Sequence, residues 1–302
     1  MKDGSAGLES ENDGIVDAQA DALAGFLAQW PNTLVLTGAG LSTASGIPDY
    51  RDRDGVRRGR LPTQGPEFRR SVEVQRRYWA RSMVGWPLMA DARPNAGHLA
   101  LAALGHAGRI GPILTQNVDG LHQQAGSKAV LELHGSIHAV RCLDCGGQMP
   151  RAAVQRQLVD ANPLLASAMA LPLPDGDAHL EPESLEGFAL PRCVHCAGSL
   201  TPDVVFFGDN VPAARTASAL ALMEAADALL VVGSSLMVYS GFRFCRMAAE
   251  SGKPIAALNL GITRADHLLA LKIEDSAEGL LPRVAAVLGA ARPPILLEPG
   301  GL

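Results

Sequence analysis

The chain reads as an α/β protein, a doubly wound parallel sheet with a small cysteine-bearing module inserted into it. Three observations predict this. Short apolar runs at residues 33–37, 113–115, 228–232 and 254–258 alternate with helix-like stretches, and such alternation implies a parallel sheet covered on both faces. Each run ends in small or amide residues, at Gly38, Gln116, Gly233 and Asn259, and ligands of open α/β sheets bind beyond the carboxyl ends of the strands. Finally, four of the five cysteines fall in two Cys-x-x-Cys knuckles, Cys142/Cys145 and Cys193/Cys196. That spacing closes a tetrahedral thiolate shell around one zinc ion and leaves no open position for a water.

The elements follow in order. A polar opening, residues 1–13, reads as a disordered tail; its acids Asp3, Glu9, Glu11 and Asp13 face a single Lys2, unlike an organelle presequence or a secretory signal. Residues 15–30 space Val16, Leu23, Phe26 and Leu27 as one amphipathic helix would, and Pro31 ends it. Helices are also expected at 95–104 and 213–226. Residues 51–81 hold ten of the 26 basic residues. The organisation expected is a discontinuous main domain, 14–140 and 200–292, with an Arg-rich loop and helical segment at 51–94. The small module takes 141–199 and carries an acidic insert. The tip of that insert, 172–187, includes Asp175, Asp177, Glu181, Glu183 and Glu186 with few apolar groups, so a solvated loop is expected.

Bulk composition bounds the function. A chain of 302 residues with 47% hydrophobic content can bury a full core. Its formal charge of −5 argues against nonspecific nucleic-acid binding, and the stretch between the knuckles is itself acidic. No apolar run approaches the roughly 20 residues that span a bilayer. Paired knuckles fit metal binding in a reducing compartment, so the cytoplasm is the expected location, with no membrane and no nucleic acid among the partners.

Gly38-Ala39-Gly40-Leu41-Ser42 follows a strand, where glycines let backbone N–H groups approach a pyrophosphate. Alone it is a weak signal, equally a tight strand–helix turn. Thr43 occupies the third glycine position of G-x-G-x-x-G, which disfavours a dehydrogenase fingerprint. The next loop places Asp49, Tyr50 and Arg51 together; the Arg suits a phosphate and the Tyr suits a planar ring. His195, inside the second knuckle, is expected to point away from the metal, and Cys245 to be a small buried hydrophobe.

These motifs, with the runs 46–51 and 115–122, Leu133-His134-Gly135, Phe206-Phe207-Gly208-Asp209 and Gly233-Ser234-Ser235-Leu236, occur in the order found in sirtuins. The chain resembles that family from about Leu34 to Pro282. Finer features resemble its class II branch, which includes the mitochondrial lipoamidase/ADP-ribosyltransferase sirtuin of animals: Arg77 to Arg81, Val84 to Pro87, the acidic insert, Val238 to Gly241 and Thr263 to Asp266. The resemblance implies a Rossmann-like NAD-binding domain, one structural zinc on the four cysteines, and NAD-dependent deacylation of protein lysines.

It also implies roles. Gly38, Ala39, Gly40, Ser42, Gly233, Ser234 and Ser235 would hold the pyrophosphate side of NAD. Asn259, Leu260, Gly261 and Ala277 would border the adenosine, and Asp49, Tyr50 and Arg51 would close over the cofactor. Gln116, Asn117, Val118 and Asp119 would meet the nicotinamide ribose. His134 would be the general base, an imidazole able to take a ribose hydroxyl proton near neutral pH, with Asn117 and Asp119 as its catalytic partners. His122 would be a structural neighbour of the ribose patch, and His98 a helix residue. The acyl oxygen would attack the ribose carbon that carries nicotinamide, the activated hydroxyl would attack the imidate, and water would release lysine and O-acyl-ADP-ribose. Val205 and Phe206 would border the slot for the acylated protein substrate, which can add as a strand. Tyr78 and Arg81, three apart on a helix, would hold longer or acidic acyl groups. The alternatives are mono-ADP-ribosyl transfer at the same ribose carbon and a noncatalytic NAD sensor.

Overall fold

Every backbone amide and carbonyl of a buried strand must be paired, and here the pairing is supplied by neighbouring strands laid side by side in parallel. The computed structural model of the chain describes residues 5–58, 61–166, 172–173, 177–178 and 187–290, with backbone alone for 5–16, 172–173 and 177–178. In chain order α1 (Ser5–Gln29) leads into β1 (Thr33–Thr37), and then come α2 (Gly65–Arg70), α3 (Val72–Asp91), α4 (Ala96–His106), β2 (Ile113–Thr115), α5 (Leu121–Gln124) and β3 (Val130–Glu132). The middle of the chain forms β4 (Gly135–Cys142), β5 (Gln148–Pro150), α6 (Arg151–Ala161), α7 (Pro163–Ala166), β6 (Pro172–Leu173), β7 (Asp177–Ala178) and β8 (Leu200–Val204). The return comprises α8 (Ala213–Ala225), β9 (Ala228–Val232), α9 (Tyr239–Glu250), β10 (Ile255–Leu258), β11 (Leu271–Ile273) and α10 (Ala277–Val287).

Six strands form one parallel sheet in the order β11-β10-β9-β1-β2-β3. Both faces are covered at the centre of the sheet, so β1, β9 and β10 are fully buried and mainly apolar, and their side chains alternate between two cores. Val35, Leu230, Val232, Ala256 and Leu258 face α1, α4 and α10. Leu34, Leu36, Leu229, Val231 and Ala257 face α8 and α9. The chain winds outward from β1 through β2 and β3, then returns beside β1 at β9 and winds the other way. This reversal leaves a crevice beyond the ends of β1 and β9, where a doubly wound sheet binds its ligand.

The four long apolar runs fall where the sequence places them, and β3 and β11, three residues each, extend the sheet at its edges. Asn95 caps α4, its side-chain oxygen accepting from Gly97 N at 2.9 Å. The first helix departs from expectation. The stretch read as a disordered tail to Asp13 is helical from Ser5 onward; Ala6, Leu8, Glu9 and Glu11 are strong helix formers that need no apolar periodicity to continue a helix.

The inserted module is built on an antiparallel sheet, β5-β4-β8. It runs from Gly135 to Val204, wider than the expected 141–199. Moreover α3, expected to belong with the main domain, buries Trp79, Ala80 and Met83 in one cluster with Val140, Met149, Val154 and Leu158 of the module. Part of the expected solvated loop is paired, since Pro172–Leu173 and Asp177–Ala178 form a short hairpin beside α3. The rest of that insert tip, 174–176 and 179–186, lies outside the described residues. Among the described residues no helix is long and apolar enough to cross a membrane.

Candidate active site

The crevice beyond β1 and β9 opens into a cavity of about 1620 Å³. Ligand pockets commonly occupy roughly 300–1,000 Å³, so there is room for more than one small ligand. Its walls include the turns after four parallel strands: Gly38, Ala39 and Gly40 after β1, Gln116 to Val118 after β2, Gly233 to Ser235 after β9, and Asn259 with Leu260 after β10. The two glycine turns interlock. Gly40 N donates to the Gly233 carbonyl at 2.8 Å, and Gly233 has a φ of 60° with Leu41 N so close that a Cβ would overlap it. Only glycine fits there. Ala277, at the start of α10, also lines the cavity.

The arginine-rich stretch forms a loop over this space. Asp49, Tyr50 and Arg51 all line it. Asp49 pairs with Arg58 at 2.8 Å, Arg51 donates to the Gly55 carbonyl at 2.7 Å, and Tyr50 tilts toward Phe207 with ring centroids 6.2 Å apart. Gly261, expected beside the cofactor, is not among the described lining residues. Its backbone lies against the Arg53 carbonyl and its amide donates to Glu274 at 3.1 Å, so it supports the loop from behind.

His134 stands at the cavity wall between β3 and β4. Its Nδ1 lies 2.9 Å from the Gln116 carbonyl. A carbonyl only accepts, so Nδ1 carries the proton and Nε2 is the bare nitrogen. The Ser240 hydroxyl donates to that Nε2 at 2.8 Å. Burial pushes the imidazole below the ordinary histidine value, against the Gln116 bond that favours its charged form, and Arg215 and Arg243 add repulsion. Gln116 is held in turn by Ser234, whose hydroxyl donates to its Oε1 at 2.7 Å.

Ser42, Asn117 and Asp119 form one linked group. Asn117 Nδ2 donates to Ser42 Oγ at 3.1 Å and to the Gly38 carbonyl at 3.0 Å, and Ser42 donates to Asp119 Oδ2 at 2.7 Å. Asp119 Oδ1 accepts from Leu121 N at 3.0 Å. Burial raises the Asp119 carboxyl above its usual range despite these donors. Asn117 reaches the main cavity, whereas Ser42 and Asp119 stand behind its wall and border a small adjoining recess.

Below them runs a buried chain. Asn117 N donates to Thr115 Oγ1 at 3.1 Å, Thr37 donates to the same oxygen at 2.8 Å, and Thr37 Oγ1 lies 2.9 Å from His122 Nε2. The His122 ring sits edge-on to His98, centroids 5.0 Å apart. His98 makes no hydrogen bond through either ring nitrogen. Burial depresses both histidines, His98 to about 3 with help from His122, and His122 to about 4.

Of the residues expected at the substrate slot, Tyr78, Val205 and Phe206 line the cavity. The Tyr78 ring stands edge-on to both Phe68 and Phe206 at 5.3 Å. Arg81 is not among the described lining residues, although the sequence pairs it with Tyr78. Three residues along a helix leave two side chains roughly 60° apart, enough for one to reach the cavity and the other to miss it.

The four cysteines Cys142, Cys145, Cys193 and Cys196 place their sulfurs within 4.8 Å of one another. Two Sγ pairs are 3.5 Å and 3.7 Å apart, against about 3.8 Å for the edge of a tetrahedron with Zn–S bonds of roughly 2.3 Å. The set is positioned to bind one structural zinc. Cys142 ends β4, and His134 immediately precedes it. Eight strand residues span roughly 25 Å, so a metal on these cysteines would set the frame of the strand from a position remote from His134. Cys245 is buried in α9 among apolar side chains.

Among the polar residues of this cavity that the sequence did not single out as site residues are Ser240 and Arg243. The signal was available: both lie in the first turns of a helix that follows a strand end, three apart and on one face.

Comparison with known proteins agrees with this architecture. The family model described as "Sir2 family" matches residues 38–240. The chain is 53% identical over 256 residues to NAD-dependent protein deacetylase 3 of Pseudomonas syringae pv. tomato, covering 84% of this chain and 91% of that protein. It is 55% identical over 251 residues to an NAD-dependent protein deacetylase of Xanthomonas axonopodis pv. citri, covering 83% and 86%. A solved Sir2 with a p53 peptide and NAD+ superposes with a TM-score of 0.70 at 30% identity, over 89% of this chain and 98% of that one. A Sir2 bound to a propionylated peptide gives 0.70 at 29% identity, over 90% and 100%. With the glycine turns, the histidine strand and the α9 turn all inside one matched span, the chain belongs to the Sir2 family, the sirtuins.

Proposed function

We propose that this protein is an NAD-dependent protein-lysine deacetylase, and that it accepts acyl groups larger than acetyl. The observation that carries the proposal is the tautomer of His134. Its Nδ1–H is fixed on the Gln116 carbonyl, so Nε2 offers a lone pair at the cavity wall, beside Gln116 and Asn117. A buried imidazole kept neutral is a competent base near pH 7.

The residues present fit NAD. The interlocked glycines and Ser234 would hold its pyrophosphate side, Asn259 its adenosine ribose, and Gln116 and Asn117 its nicotinamide ribose. When bound, NAD supplies a ribose carbon activated by a cationic leaving group, and its ADP-ribose part accepts the acyl group. His134 Nε2 takes a proton from a ribose hydroxyl, with Ser240 turning aside to admit it. Asn117 and Asp119, joined through Ser42, hold the ribose-facing loop in place. Val205 and Phe206 flank the incoming lysine chain. Tyr78, Ser82 and Ile137 line the same cavity, and in this reading a longer acyl chain would extend toward them. The resemblance to class II in the sequence motifs of α3, the insert, the α9 turn and Thr263 to Asp266 makes lipoyl and acidic acyl chains the first to try.

The test is mass spectrometry of acetyl-, succinyl-, glutaryl- and lipoyl-lysine peptides with and without NAD, with His134→Ala as control. The expected result is NAD-dependent loss of acyl mass with nicotinamide release, abolished in the variant. A protein target gaining ADP-ribose mass while every peptide stays acylated would replace deacylation with ADP-ribosyl transfer.

A further inference from the structure

One cation on the cavity wall keeps buried donors without a partner among the described residues. Arg243 lies in α9, one turn beyond the Ser240 that bonds His134. Its side chain lines the cavity and its guanidinium rests 5.1 Å from the Phe244 ring centroid. It makes no hydrogen bond or ion pair among the described residues, and its Nε and Nη2 are buried without a partner. The other arginines lining this cavity differ in that none leaves a buried donor unpartnered among the described residues: Arg58 pairs with Asp49, Arg51 donates to the Gly55 carbonyl, and Arg57 lies over the Phe207 ring. Buried donors left unsatisfied are unfavourable, the more so when they are charged. The protein nonetheless keeps this guanidinium close enough to His134 for its charge to be felt there.

Its place in the cavity narrows the ligand. Both α8 and α9 border the cavity, the first through Thr216 and Leu220 and the second through Tyr239, Ser240 and Arg243. Tyr239 is 55% exposed, so this end opens to solvent. The glycine turns and Asn259, which suit a dinucleotide, belong to the strand ends. A protein substrate must instead reach His134 from solvent. Its chain would pass the planar five-donor fork of Arg243, which matches a carboxylate in a bidentate fashion. Arg215 of α8 adds a second positive charge near His134 and is also close enough to Glu132 for the two charges to interact, and Asp203 is already tied to Arg141 at 2.6 Å.

We propose that Arg243 binds a carboxylate of the protein substrate, an Asp or Glu side chain close to the acylated lysine, and so directs the enzyme to acidic segments. This rests on the deacylase reading and names the sequence context that such an enzyme would select. The carboxylate could also come from an acidic acyl chain, and the two sources are separable by experiment.

The test compares acetyl-lysine peptides that differ only by Glu, Gln or Lys at each position within two residues of the lysine. Nicotinamide release is followed for the wild type, Arg243→Gln and Arg243→Lys. At one or more positions the wild type should favour Glu over Gln by about tenfold in kcat/KM, or about 1.4 kcal/mol. The preference should sit in KM and shrink with added salt. Arg243→Gln should bring the Glu peptide down to the level of its Gln counterpart, and Arg243→Lys should keep part of the preference. A ratio near one at every position in the wild type, or a preference that survives Arg243→Gln, overturns the proposal. So does a loss in Arg243→Gln confined to succinyl-lysine in neutral flanks, or a raised KM for NAD with peptide ratios unchanged. If the wild type releases no nicotinamide from any acyl peptide, deacylation itself fails. Fluorescence anisotropy of labelled Glu and Gln peptides then still decides the role of Arg243: equal affinities reject it, and an Arg243-dependent difference upholds it.

Discussion

Acidification should unfold this protein through two histidines that never touch solvent. His98 and His122 are fully buried, ring against ring, beneath the loop that carries Asn117. An unfolded imidazole takes up its proton near pH 6.5, whereas the folded sites resist until about 4 for His122 and about 3 for His98. Between these values unfolding absorbs protons, so stability falls as pH falls below about 6.5, the His122 part levelling off near pH 4 and the His98 part near pH 3. Going from pH 7 to pH 5, linkage gives a loss of about 2 kcal/mol for each histidine, or about 4 kcal/mol for the pair. That is a large share of a typical domain stability of roughly 5–15 kcal/mol. Urea denaturation at pH 7 and pH 5 measures it, with His98→Leu as the comparison. This variant removes the ring that makes no hydrogen bond and leaves the His122–Thr37 contact in place. Its loss between the two pH values should be smaller than that of the wild type by about 2 kcal/mol. Parallel losses in the two proteins would show that the buried pair is not the acid-sensitive element.

The remaining expectations concern the site and its frame. Gly241→Ala would bring a Cβ to 2.5 Å from Gln116 Nε2, displacing the residue whose carbonyl orients His134; kcat/KM should fall at least tenfold with the fold retained by circular dichroism. Asp119→Asn leaves one oxygen where both now accept, from Ser42 and from Leu121 N. Loss of a charge-assisted acceptor, roughly 1.5–3 kcal/mol, should lower kcat/KM by about ten- to a hundredfold, measured by nicotinamide release. Elemental analysis should find one zinc per chain, and Cys142→Ser should lose it together with near-ultraviolet ellipticity from Trp79, which shares a core with Cys142.

The parts of this protein that were legible in the sequence are those fixed by local chemistry. A buried parallel strand must be apolar throughout, so the runs ending at Thr37, Thr115, Val232 and Leu258 declared themselves, and their small or amide successors marked the cavity. Two knuckles of identical spacing declared the metal cluster for the same reason. What stayed hidden depends on packing between distant segments. Nothing in the composition of α3 says that Trp79 will be buried with Leu158 of the module. Nor does a Tyr-x-x-Arg spacing reveal which of the two side chains meets the cavity; Tyr78 does and Arg81 does not. The resemblance implies a cofactor contact at Gly261, but the Arg53 loop folds back onto it. Ser240 and Arg243 matter only because α9 starts against Gln116, a contact between residues far apart in sequence.

The module and the catalytic cavity are mechanically one object, and Arg151 is the joint. It opens α6, directly after β5, and is fully buried. Its Nη2 donates to both the carbonyl and the hydroxyl of Ser82 at 3.1 Å, and its guanidinium lies 4.7 Å from the Trp86 ring and 5.5 Å from that of Trp79. Burial draws its pKa down to about 10, which still leaves it charged at neutral pH. A cation held between two aromatic faces and two oxygens fixes α3 against the module. The same helix presents Tyr78 and Ser82 to the cavity. The zinc cluster fixes the far end of β4, and that strand begins next to His134. Loss of the metal would therefore reach the cavity along two routes, through β4 to His134 and through Arg151 to the wall that carries Tyr78 and Ser82. A metal remote from His134 can in this way still govern both the position of that imidazole and the shape of the cavity beside it.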